Sequence, residues 1–326
     1  MSKIFLFGAY KSNTGPANVN SALIRNHDDD LIFLKNDHGI TKGIETLFKV
    51  FFCDIIVISG LCSHKIFRIL KCSNKKIIYL MHGCVEYENK INKLYLSEEN
   101  LKTEYEIWEY CDLILCVSEK YADWFKKYKP AYQSKTKYIN NGVEICLREQ
   151  KTKRSNTIAL SGGNRNIKNN GLVCKAVQLL NRKGINCSIE LFGRMYDGNE
   201  DLLKYSNVNY HGHLSKEQYY TELDSISLYI VASELEPFGL VVADALNCNC
   251  SLLMSSNVGG ASIMKTEQYD IIENVHDISI LADKIEYLFN HPNADRLLSS
   301  VDISDCSEKS SYIKLKKHCD DLLKES

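Results

Sequence analysis

The feature that most restricts this chain is a repeated alternation of short, almost wholly apolar runs with longer amphipathic stretches. In the first half the runs cover residues 4–7, 31–34, 55–58, 77–80, 113–117 and 138–139. In the second they cover 157–161, 188–192, 208–210, 228–231, 251–254 and 269–272. Runs this short and this apolar fit strands buried on both faces, as in parallel sheets. The stretches between them are long enough for crossover helices. The alternation therefore predicts an α/β chain of doubly wound parallel sheets, in which ligands bind beyond the carboxyl ends of the strands. The two halves are alike in architecture rather than in residues.

A length of 326 residues suffices for two domains, each with its own core. With 25% charged and 44% hydrophobic residues the composition is that of a soluble globular protein. A net charge of −1 argues against bulk binding of nucleic acid. Met1-Ser2-Lys3 runs straight into a strand, and the most apolar region, residues 47–62, is broken by Lys49 and Asp54. Neither a signal peptide nor a transmembrane span is expected, which places the chain in the cytoplasm. Thirteen cysteines are scattered without a Cys-x-x-Cys pair, the closest being Cys248 and Cys250. Buried reduced thiols are expected rather than zinc ligands.

Two stretches at strand ends carry chemistry. The first is Ser233-Glu234-Leu235-Glu236-Pro237-Phe238-Gly239-Leu240, continuing into the apolar Val241 to Leu246. Pro237 suits a first helical turn, so a helix is expected from there, with the N–H groups of Phe238, Gly239 and Leu240 aimed at an anion. Glu236 precedes that helix and Asp244 interrupts its apolar course, where an unpaired carboxylate is costly. A ligand with hydroxyls and phosphates would satisfy both acids and the amides; a plain turn with a solvated Asp is the other reading. The second stretch is Ser161-Gly162-Gly163-Asn164-Arg165-Asn166-Ile167-Lys168-Asn169-Asn170, followed by a helix ending at Gly184. Two glycines and two cations before a helix suit a diphosphate, or else form a solvated basic turn. The spacing is not that of a Walker A loop.

Weaker signals lie elsewhere. Gly15, in a loop before a helix, either lets backbone approach a ligand or makes a simple turn. His82, just after a strand, either bonds a sugar hydroxyl or is a satisfied structural histidine. Phe192-Gly193-Arg194 and Tyr210-His211-Gly212-His213-Leu214 end two strands. Asp28-Asp29-Asp30 reads as a solvated turn rather than a metal site.

In order and placement these motifs resemble family-4 retaining glycosyltransferases with the GT-B fold. Glu236 and Asp244 stand where that family has Glu-x7-Glu, with Asp in place of the second Glu. Lys168 matches the family's phosphate loop, whereas Arg165 stands nearer the lysine than is usual. Val258-Gly259-Gly260 resembles its second glycine pair, but Ile263 replaces the Glu that normally follows. Asn140-Asn141-Gly142-Val143-Glu144 is similar to the turn closing its first domain.

The resemblance implies two Rossmann-like domains facing a cleft: an acceptor-side domain at 1–150, a linker within 149–156, and a nucleotide-sugar-binding domain at 151–306. A helix at 312–323, in the terminal segment 307–326, would cross back to the first domain. The implied reaction is retaining transfer of a sugar from a nucleotide diphosphate donor to an acceptor hydroxyl. Glu236 would orient the donor sugar with the amides of Phe238, Gly239 and Leu240, and Asp244 would hold the ribose. Lys168 and Arg165 would meet the leaving diphosphate; Gly15, His82 and Gly163 would face the donor, and Gly193 would belong to the base pocket. No cofactor or metal is required on this reading.

The rival is a catalytically silent GT-B protein that binds glycan or assists a partner glycosyltransferase. For the acceptor, Lys120, Lys126, Lys127, Lys129, Lys135 and Lys137, interleaved with Tyr121, Trp124, Phe125 and Tyr128, form either a solvated helix face or a dock for an anionic membrane. The dock would place a peripheral enzyme beside a lipid-linked saccharide or surface polysaccharide.

Overall fold

The computed structural model describes residues 2–12, 14–35, 39–92, 97–149 and 151–325. Its twelve strands are β1 (Ile4–Phe7), β2 (Leu31–Phe33), β3 (Ile55–Ser59), β4 (Lys76–Met81), β5 (Leu113–Cys116), β6 (Thr136–Tyr138), β7 (Arg154–Leu160), β8 (Ser188–Phe192), β9 (Val208–Gly212), β10 (Ile226–Val231), β11 (Ser251–Ser255) and β12 (Ile271–Ile272). Every run expected to be a strand overlaps one, though 138–139 does so only at Tyr138, and Tyr269 and Asp270 lie in a 3-10 turn before β12. They form two six-stranded sheets, ordered β2-β1-β3-β4-β5-β6 and β12-β11-β10-β7-β8-β9, with parallel pairing throughout. The expected doubly wound α/β class is therefore what the chain adopts. Central strands such as Ile55-Ile56-Val57-Ile58 are wholly buried, which is why they read as unbroken apolar runs.

The chain divides into two compact units, Met1–Val143 with Ser304–Ser326, and Glu144–Ile303. Each sheet has a point where the strand order reverses, between β1 and β3 in the first unit and between β7 and β10 in the second. Loops leaving neighbouring strands diverge there, and the crevice they open is where such sheets take ligands.

Three local expectations are corrected. Within 149–156, the last residues belong to β7, because Arg154 opens that strand and its guanidinium meets the buried Glu190 at 3.1 Å. Asp30 is not in a solvated turn: it is buried, and both Tyr312 and Lys316 of the helix Glu308–Lys324 reach it, the lysine at 2.5 Å. Burial by itself would raise the Asp30 carboxyl, and the bonds from Lys316 and Tyr312 outweigh it and hold it below the usual range. Asp28 in turn pairs with Lys309 at 2.6 Å. The third correction concerns the segment after β10, described below. The cysteines are free, and all but Cys72 and Cys146 are buried.

Candidate functional site

The second unit's reversal point is built from the loops that follow β7 and β10. After β7 the chain turns through Gly162 and Gly163, both in the left-handed region at φ +86° and +60°. A Cβ at Gly163 would lie 1.7 Å from the Arg194 carbonyl oxygen, and one at Gly193 would lie 2.9 Å from the Gly163 nitrogen. These two glycines therefore let the β7 and β8 loops press backbone on backbone, which is a packing reason for both. Asn170, at the start of the helix Asn170–Arg182, ties the turn by donating to the Ser161 and Gly163 carbonyls at 3.0 and 2.7 Å.

The loop after β10 departs from its expected form. Pro237 does not begin the helix; the helix is Val241–Asn247, and Gly239 at φ +85° separates the two. A left-handed residue cannot continue a right-handed helix, so the turn resets before Val241. The Val242 N–H bonds the Gly239 carbonyl at 3.0 Å, while the N–H groups of Phe238, Gly239 and Leu240 find no hydrogen-bond acceptor among the described residues. Three open amides thus stand in sequence just after Glu236, as expected, although on a loop rather than in a helical turn.

The β11 loop fixes this arrangement. Glu236 donates its N–H to the Asn257 carbonyl at 3.2 Å and accepts from the Gly259 N–H at 2.9 Å. The Gly260 N–H reaches the Phe238 carbonyl at 2.5 Å, an approach that a Cβ at 260 would obstruct. The Val258-Gly259-Gly260 turn accordingly serves the Glu236 loop through backbone.

The charged side chains meet at this point. The Lys168 ammonium hydrogen-bonds the Glu236 carboxylate at Oε2, and Ser233 Oγ donates to the same oxygen at 3.3 Å. The lysine and glutamate side chains are 15% and 14% exposed, so the pair is shielded yet open on one side. An ammonium has three donors, which leaves Lys168 able to hold Glu236 and an incoming anion together. Arg165 stands beside Gly162, as does the stem of Lys168, and its guanidinium makes no ion pair among the described residues.

Asp244 turns to a different partner. The Tyr220 hydroxyl donates to Asp244 Oδ1 at 2.6 Å, and the Arg148 guanidinium lies over the Tyr220 ring at 5.0 Å. Burial pushes the Asp244 carboxyl above its ordinary range, and the Tyr220 hydrogen bond opposes that rise. His211 is spent internally: it bonds the buried Glu190 at 2.6 Å and stacks on Phe192.

Gly15 and His82 lie in the first unit. Gly15 is exposed, with nothing near the position a Cβ would take, so packing there does not demand glycine. It is Gly8 that packing demands, since a Cβ would fall 2.5 Å from Asn20 Nδ2 and 2.9 Å from Ser59 Cβ. His82 Nε2 shares a 2.7 Å hydrogen bond with Ser59 Oγ, which donates to Asn20 Oδ1 at 2.6 Å. Burial pushes the His82 imidazole down to about 4, so it is neutral near pH 7.

Sequence reasoning missed Tyr220 and gave no role to Ser233, Asn169 and Asn170, although these three lie in the stretches it singled out. Asn169, in the left-handed region, donates to the Ala232 carbonyl at 3.1 Å and so joins the two loops. Its place before a helix after two glycines was the available signal. Tyr220 gave none, because its partner is 24 residues away. Among the described residues no His, Cys, Asp and Glu cluster is placed to hold a metal ion, and no helix is long and apolar enough to cross a membrane.

Comparison with known proteins agrees with this fold. Residues 147–300 match the family "Glycosyl transferases group 1". No curated protein sequence matches at a significant level. Among solved structures, Anabaena HepE in complex with UDP and glucose is 13% identical, with a TM-score of 0.71 over 100% of both chains. Sucrose-phosphate synthase from Thermosynechococcus elongatus is 14% identical, with a TM-score of 0.71 over 100% of both. The apo form of the lipopolysaccharide outer core galactosyltransferase WaaB is 11% identical, with a TM-score of 0.64 over 97% of this chain and 98% of that one. Residues 147–300 thus match a glycosyl transferases group 1 domain, and the chain as a whole has the GT-B fold.

Proposed function

We propose that the protein is a retaining glycosyltransferase that takes its sugar from a nucleotide diphosphate donor held by the second unit. The observation that carries this reading is the Lys168–Glu236 pair at the sheet's reversal point, next to the open amides of Phe238, Gly239 and Leu240. Lys168 and Arg165 meet the negative charge that builds on the departing diphosphate. Glu236 and the amides hold the sugar's hydroxyls, and Asp244 holds the ribose through the oxygen that Tyr220 leaves open. The bond from the anomeric carbon to the diphosphate oxygen breaks as a bond to the acceptor oxygen forms on the same face. The acceptor's proton passes to a released phosphate oxygen. Cationic side chains and amides meet the diphosphate charge, so no metal or other cofactor is assigned a role.

The acceptor falls to the first unit, and the reading places the enzyme in the cytoplasm, extending a surface polysaccharide or lipid-linked glycan. Glycan synthesis draws support from the likeness to WaaB, a lipopolysaccharide outer core galactosyltransferase. Of the basic stretch considered as a membrane dock, Lys129 pairs with Glu86 at 2.7 Å and Lys135 donates to the Glu109 and Cys111 carbonyls. Tyr121 and Phe125 are buried, and the exposed lysines of that stretch are Lys120, Lys127 and Lys137.

Two observations favour the silent, glycan-binding alternative: Ile263 stands in place of the family's Glu, and Tyr220 occupies part of Asp244. Hydrolysis of UDP-, GDP- and dTDP-sugars without acceptor separates the two. Release of nucleotide from one donor, lost in Lys168→Ala, supports the enzyme; binding without any release supports the silent protein.

A further inference from the structure

The helix Gly39–Phe51 in the first unit is seated with its apolar face outward. Ile40, Ile44, Leu47, Phe48 and Phe51 fall within roughly 100° of arc at helical spacing. Ile40 is 83% exposed, Phe51 82% and Phe48 61%. The side turned into the protein carries Thr46 and Val50 instead, both buried. Phe52 extends the outward patch, and its ring packs on Phe48 with centroids 4.7 Å apart. Scattered exposed hydrophobics are ordinary, whereas a contiguous aromatic and aliphatic stripe marks a surface that meets something apolar.

The charge beside the stripe indicates what that is. From residue 35 to residue 76 the sequence has eight Lys and Arg against three Asp and Glu, although the whole chain carries −1. The adjoining helix, His64–Lys71, contains no acid and exposes Lys65 and Arg68. Of the nearby carboxylates, Glu45 accepts from the Lys35 N–H at 2.8 Å, Asp54 accepts from the Lys3 N–H at 2.7 Å, and Glu106 faces the His64 imidazole at 3.4 Å. A second copy of this chain would bring the same cations face to face.

We infer that the face formed by Ile40, Ile44, Leu47, Phe48 and Phe51, with its flanking Lys65 and Arg68, docks on an anionic lipid bilayer. The apolar side chains enter the acyl boundary while the cations meet headgroup phosphates, the behaviour of an interfacial amphipathic helix. This inference does not rest on glycosyl transfer.

Sedimentation of the full chain with vesicles tests it, using phosphatidylcholine alone or mixed with phosphatidylglycerol. Wild type should partition onto the mixed vesicles roughly tenfold better than onto the neutral ones, with the advantage shrinking as salt rises. Phe48→Glu with Phe51→Glu should abolish binding, and Lys65→Glu with Arg68→Glu should remove the preference for anionic lipid. Phe48→Ser with Phe51→Ser repeats the first test should the glutamates disturb folding, which circular dichroism reports. No binding to mixed vesicles, or binding unaffected by the phenylalanine substitutions, overturns the inference. So does a dimer seen by light scattering that those substitutions dissociate without any vesicle binding. Donor hydrolysis by the same variants should match wild type, which keeps this outcome separate from that of the proposed reaction.

Discussion

The two sheets reverse strand order in the same way, yet their ligand-side edges are built from opposite chemistry. In the second unit the edge is charged: Lys168 on Glu236, Arg165 beside them, Asp244 one helix turn on. In the first the side chains that meet at the reversal point are neutral: Asn20, Ser59 and His82 in a chain of hydrogen bonds, with the imidazole uncharged. One topology thus offers an edge suited to a diphosphate and another suited to hydroxyls. The difference comes from side chains at strand ends, because the fold itself specifies only where a ligand binds.

The largest effect expected from this contrast is on turnover. Lys168→Ala should lower kcat for donor cleavage by about 10²–10³-fold, the usual cost of removing one preorganised charge at a developing anion. Because Lys168 and Glu236 touch, the double variant Lys168→Ala with Glu236→Gln should cost less than the product of the single effects, checked by a double-mutant cycle on kcat. Next, Asp244→Ala should raise the donor KM by about 10–100-fold, as befits loss of hydrogen bonds to a charged group, while Asp244→Glu keeps activity. Initial rates against donor concentration measure both; an unchanged KM in the alanine variant removes the ribose role.

The neutral edge answers to stability instead. Ser59→Ala leaves His82 and Asn20 without their partner and should cost about 1–3 kcal/mol in urea unfolding, with little change in donor KM. The His82 pKa lies below its unfolded value, so its contribution is present above about 6.5 and is lost as pH falls through about 4. Unfolding midpoints taken across that window should show the decline in wild type and a flatter course in His82→Gln. The smallest effect belongs to Tyr220→Phe. Losing a single hydroxyl should change the donor KM only about 2–10-fold, by roughly 0.5–1.5 kcal/mol.

How much of this was legible depended on how local each cause was. The central strands could be read because burial on both faces writes an unbroken apolar run, whereas β6 and β9 are largely exposed and carry polar residues. Lys168 and Glu236 could be singled out because each sits at a strand end in a short motif. The helix start after β10 could not, since Pro237 suggests a first turn and only the left-handed Gly239 defers it to Val241. Tyr220 on Asp244 and Tyr312 on Asp30 join residues distant in sequence, which no local pattern records. Amphipathic spacing in Gly39–Phe51 is plain in the sequence, but spacing does not say which face turns inward, and here Thr46 and Val50 do.

The central claim is that the charged edge of the second unit holds a nucleoside diphosphate. Calorimetric titration of UDP, GDP and dTDP into the full-length chain tests it most directly. One of the three should bind saturably at one site and lose at least about tenfold in affinity in Lys168→Ala. Absence of binding by all three, or equal affinity in the variant, would contradict the account.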